Sequence, residues 1–283
     1  MNFQFTSTGS HLAAAEGPWK MARNFRDVAH AGSGPLAYSV VNSGNTREHV
    51  LELAANAAMM WKLEGFDPDA WLLQFCQQYF GREHAAEAAA LYRAFYDSYW
   101  QQKASDLPDF PRQYLMQDQR IARAGETLLK ELKKASPGLD PFDDRNMGRF
   151  RIGPKDNGCA NQVEAVAKGT AASIDKLAAV VDRAEELADA LPCGRQFLRD
   201  NLVIQARFML QANRWLNALA RAALPASDKQ ARVAEALAAA QAMQRELAPA
   251  ENGEFAGWYK GDRLFGVDQQ VRRTTALLAD LRR

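Results

Sequence analysis

The chain has 283 residues, 47% hydrophobic and 24% charged, with 35 Lys+Arg against 34 Asp+Glu for a formal net charge of +1. That composition supports a packed core in one large domain or two ordinary ones, and the even balance excludes a general electrostatic pull toward nucleic acid or anionic membrane. No apolar run approaches the roughly 20 residues of a membrane span, and the amino terminus lacks the basic and apolar stretches of a signal peptide.

Asn2–Thr6 alternates apolar and polar residues and reads as a strand, with Ser7–His11 as a polar loop at its carboxyl end. Pro18 starts a helix with Trp19, Met21, Ala22, Phe25 and Val28 on one side, and Gly32–Pro35 ends it. Leu36–Val41 is a second strand, β-branched and apolar enough for burial on both faces. Asn42–Asn45 is a turn, and Val50, Leu53, Ala54, Ala57 and Trp61 then recur at helical spacing. Asn45 is positioned to cap that helix, with Glu48 reaching back as in a capping box.

Residues 1–61 thus read strand–helix–strand–helix, a parallel unit. Two parallel strands do not stand alone, so the sequence is expected to be part of a larger sheet.

Beyond Phe66 the pattern is helical. Asp67-Pro68 caps and starts a helix with Trp71, Leu72, Phe75, Cys76, Tyr79 and Phe80 in a broad stripe, and Gly81 stops it. Further helices are expected over Arg82–Lys103, Gln113–Ala135, Ala160–Leu191, Gly194–Leu224, Asp228–Leu247 and Val267–Leu281. Ser136–Gly158 is an irregular crossover, and Pro249–Gly266 a loop with Phe255, Trp258, Tyr259 and Phe265 among glycines. Such lengths and short links fit antiparallel neighbours in a bundle.

Asn42–Glu48 is the best candidate site, since its amides, Arg47 and a helix amino end suit a carboxylate or sugar hydroxyls. The plainer alternative is a helix cap whose arginine meets solvent. His11 sits in the loop at the matching end of the other strand, whereas His30, His49 and His84 lack partners at ligand or triad spacing. Glu16 and Glu48 are the acids near both loops and form an acid/base pair only at the right separation. Cys76, Cys159 and Cys193 form neither a metal pattern nor a disulfide framework, so no metal and no cofactor are expected.

TSTGSHLAAAEGPWK, SVVNSGNTREHVLELAANAAMMW and DPDAWLLQFCQQYFG resemble the carboxyl-terminal part of glycoside hydrolase family 115, whose members are inverting α-glucuronidases acting on xylan. Against that family's Asn-x-Gly-Asp-x-Lys-Pro, Asn42 and Gly44 match and Arg47 keeps the cation, while Asn45 replaces the acid and Glu48 the proline.

The resemblance implies a mainly α chain: the last β/α units of a (β/α)8 barrel over residues 1–64, then an antiparallel helical bundle over 65–283. The motif positions Asn42, Asn45, Arg47 and Glu48, with His11 from the loop at the matching strand end, are the expected substrate-binding set, and the resemblance implies catalytic acids supplied by earlier barrel strands. The expected partners are a glucuronoxylan side chain and a second copy through the helical domain, with neither nucleic acid nor membrane. Secretion is usual in that family. The rival expectation is a helical interaction module that kept a barrel remnant.

Overall fold

The computed structural model describes residues 2–4, 12–32, 38–43, 46–103, 113–147, 152 and 158–283. Among these the chain is mainly helical, and it divides into two compact units: Met1–Asp97 with Ala179–Ala206, and Ser98–Ala178 with Arg207–Arg283.

In the first unit, β1 (Asn2–Gln4) pairs in parallel with β2 (Val40–Asn42), Asn2 opposite Val40 and Gln4 opposite Asn42. β2 was expected to be buried on both faces and is not. Val41 packs on the core, whereas Val40 is 49% exposed and Tyr38 just before it 69%. Successive side chains point to opposite faces, and the described helices cover the face that Val41 occupies.

Helix α1 (Pro18–Ala31) begins at its proline and buries Met21, Ala22 and Phe25. Helix α2 (Val50–Trp61) buries Leu51, Glu52, Ala55, Asn56 and Met59, a face turned away from the expected stripe, and leaves Trp61 92% exposed. Ala55 has no exposed surface and lets α1 approach closely, and both polar residues of this face find partners. His49 occupies the cap position without a side-chain cap bond, and the expected cap, Asn45, lies outside the described residues.

Helix α3 (Pro68–Asp97) is capped as its sequence foretold, Asp67 Oδ1 accepting from the amides of Asp69 (2.9 Å) and Ala70 (3.2 Å). Gly81, at φ 81° and ψ 163°, splits it into two helical halves, a conformation that favours glycine. The second half stops at Asp97, short of the expected Lys103, and Gln101–Lys103 pairs as a strand with Gln113–Leu115 instead.

The stretch expected as one helix over Gly194–Leu224 is three elements: α7 (Arg195–Leu198), a π-helical turn (Arg199–Val203) and α8 (Ile204–Ala223). The second unit adds β3 (Gln101–Lys103), β4 (Gln113–Leu115), α4 (Asp118–Glu131), α5 (Asp144–Met147), α9 (Lys229–Leu247) and α10 (Val267–Leu281). Helix α6 (Gln162–Ala190) contributes its first part here and its later part to the first unit. The second core centres on Trp215, fully buried, whose Nε1 donates to Thr274 Oγ1 at 3.1 Å and whose ring lies over Gly125.

Candidate functional site

Residues 12–15 and 46–49, downstream of β1 and β2, are tied together within the first unit by Gln205. Its Oε1 accepts from the Ala14 amide at 2.7 Å, and its Nε2 donates to the Glu48 carbonyl at 3.1 Å. Leu12, Ala13, Ala14 and Ala15 are buried around this clamp. The π-helical turn that precedes Gln205 supplies a second tie: Arg47 Nη2 lies 2.8 Å from Asp200 Oδ1, both side chains being largely shielded from solvent. A turn with the wider π pitch re-aims the residues around it, and such turns recur at functional sites.

The expected set is thereby partly located. Asn42 is exposed at the end of β2, Arg47 is buried and held by Asp200, and Glu48 is buried, its carbonyl held by Gln205. Asn45 and His11 lie outside the described residues. Glu16 bonds Lys20 at 2.6 Å on its own helix turn, which occupies it locally.

Behind the loop stands a cluster that the residue pattern did not single out. Glu52 is fully buried on α2; its Oε1 accepts from the Tyr96 hydroxyl at 2.9 Å, and its Oε2 is 3.9 Å from His49 Nδ1, beyond hydrogen-bond reach. Burial pushes the Glu52 carboxyl up from 4.5 to about 8, against the hydrogen bond from Tyr96, which favours the ionised form. Burial likewise raises the hydroxyl of Tyr92, on the same helix as Tyr96.

Asn56, one turn beyond Glu52, accepts from Ser39 Oγ at 3.0 Å. A signal for these residues was present in the sequence. In VLELAANAAMMW, Glu52 and Asn56 are the polar side chains, four apart on one face of a helix otherwise apolar all round. Such a helix is buried, and its polar groups must then find partners inside.

A neutral carboxyl at ordinary pH is the form a general acid requires, but a group with no exposed surface meets no sugar. Glu52 is therefore a packing element of this site rather than its proton donor. The unit also has an open cleft of about 500 Å³ lined by Arg26, His30, Met59, Met60, Leu63 and Glu64, among others. Among the described residues no group of three or more acids, histidines or cysteines stands ready for a metal ion.

Compared with known proteins, residues 7–105 match Glycosyl hydrolase family 115. The match takes in β2, α1, α2, the paired loops, Arg47 and the Glu52–Tyr96 contact. No curated protein matches the chain. Over residues 7–105, about a third of its length, the chain is thus similar to glycosyl hydrolase family 115.

Proposed function

We propose that the chain works as the carboxyl-terminal portion of a family 115-like glycoside hydrolase of the inverting xylan α-(4-O-methyl)glucuronidase type, and cleaves no glycoside by itself. In this reading residues 1–64 are the last β/α units of a (β/α)8 barrel and residues 65–283 a helical bundle through which two copies pair.

The observation that carries it is the parallel β1–β2 pair, whose two following segments, both inside the family match, are clamped together by Gln205. Ligands of such barrels bind at the carboxyl ends of the strands. Asn42 stands there at the mouth of the loop, and Arg47, fixed by Asp200, lies at its base. His11, Asn45 and Glu48 complete the sugar-binding set in this reading. Exposed Tyr38, Val40 and Trp61 are the apolar side chains that further β/α units would cover. The same exposure is what favours the alternative, a helical interaction module whose partner covers them.

The test is a titration of isotope-labelled protein with methyl glucuronoside and with methyl glucoside. Amide shifts of Asn42 and Arg47 that appear with the uronate and stay within about one tenth of that with the neutral sugar support the reading, since a charge-assisted bond contributes about 1.5–3 kcal/mol. Equal responses, or shifts confined to the second unit, contradict it.

A further inference from the structure

The strongest cluster outside the sugar-binding reading is the one that fastens α2 to α3. Its centre is a carboxyl with no exposed surface, placed on the first turn of the helix that leads out of the loop Arg47–His49. We propose that Glu52 is a pH-operated latch: neutral, it holds α2 against α3 through Tyr96; ionised, it is driven toward water and loosens α2 and the loop that α2 anchors.

The groups that face Glu52 come from each element packed around it. On its own helix entry His49 Nδ1 stands 3.9 Å from Oε2. From α3, Tyr96 donates to Oε1 at 2.9 Å, and Tyr92 is fully buried alongside. From the segment before α1, Glu16 adds a like charge that disfavours the carboxylate. The bond from Tyr96 is present in the neutral form and stronger to the carboxylate, but burial strips the carboxylate of its hydration and outweighs that gain, so the neutral acid persists up to about 8.

The sign follows. Unfolded, the carboxyl releases its proton near its ordinary value of 4.5, while folded it keeps it up to about 8. Across that window the folded state binds more protons, so stability falls as pH rises from 4.5 to about 8 and is level above it. The device stands on its own and does not depend on the glycan reading.

The experiment compares the full chain with its Glu52→Gln variant from pH 5 to pH 9, by thermal unfolding and by hydrogen exchange corrected for intrinsic rates. Glutamine keeps the shape and the acceptor for Tyr96 and cannot ionise. Wild-type protection over residues 50–61 should drop at least about tenfold from pH 6 to pH 9, each pH unit of linkage being a factor of ten, while the variant changes by less than about threefold. Tyr96→Phe should move the wild-type transition to higher pH, because it removes the bond that favours the carboxylate. A merely structural Tyr96 would lower protection at every pH without moving the midpoint. Parallel profiles for wild type and Glu52→Gln overturn the latch. Should Glu52→Gln fail to fold, a Tyr96→Phe midpoint that is unmoved or lower does so as well.

Discussion

Arg47 and Asp200 form a largely buried ion pair that fastens the loop after β2 to the π-helical turn. Arg47 was expected to offer its guanidinium to a sugar or to solvent; it meets Asp200 at 2.8 Å, with side-chain exposures of 6% and 14%. Removing one partner of a buried pair leaves an uncompensated charge and costs about 3–5 kcal/mol when burial is complete. Asp200→Asn strands the more deeply buried guanidinium, so a loss of about 3 kcal/mol is expected.

Arg47→Met strands a carboxylate that is 14% exposed and also accepts from Gln196 Nε2 at 2.9 Å, so water and that amide offset part of the cost. About 1–2 kcal/mol is expected there. The double variant leaves no stranded charge and should be more stable than the sum of the singles predicts, by about 2 kcal/mol. Native-state hydrogen exchange over residues 46–61 and 195–206 reads all four proteins in one experiment. Losses that add to within about 0.5 kcal/mol would refute a formed pair.

Gly125 lies under Trp215, and a Cβ there would stand 2.0 Å from the ring in a fully buried site. Gly125→Ala should therefore destabilise the second unit by about 1–3 kcal/mol, although alanine is the better helix former by about 1 kcal/mol; a raised melting temperature would refute that packing. Gln205→Ala should free the two loops, at about 1–3 kcal/mol, with hydrogen exchange accelerated at residues 12–15 and 46–49 and unchanged in α9. Burial pushes the Cys76 thiol up to about 12, so native protein should be alkylated first at exposed Cys193, and Cys76 should react only on unfolding; early labelling of Cys76 would contradict its burial.

Several helices were legible because local punctuation signalled them: Pro18 and Asp67-Pro68 at starts and Gly81 at a break. The order of β1, α1, β2 and α2 was legible for the same reason. What was not legible depended on contacts distant in sequence. α2 carries apolar residues all round, so periodicity could not choose its inner face, and Tyr96, 44 residues away, decided in favour of Glu52. The π-helical turn has no distinct composition, and its contribution to the site, Asp200, looks like an ordinary solvent-facing acid until Arg47 is brought to it. The residues that support the candidate loop were thus missed.

The central claim, that this chain contributes sugar recognition without cleavage, is tested most directly by following the anomeric protons of a glucuronate-bearing xylo-oligosaccharide by NMR in the presence of the purified chain. Broadening of the glucuronate signal with no free glucuronate appearing over the incubation is the result expected. Free glucuronate would show that the chain holds a working acid/base pair, and a glucuronate signal no broader than that of the unsubstituted oligosaccharide would contradict recognition of the sugar at the carboxyl end of β2.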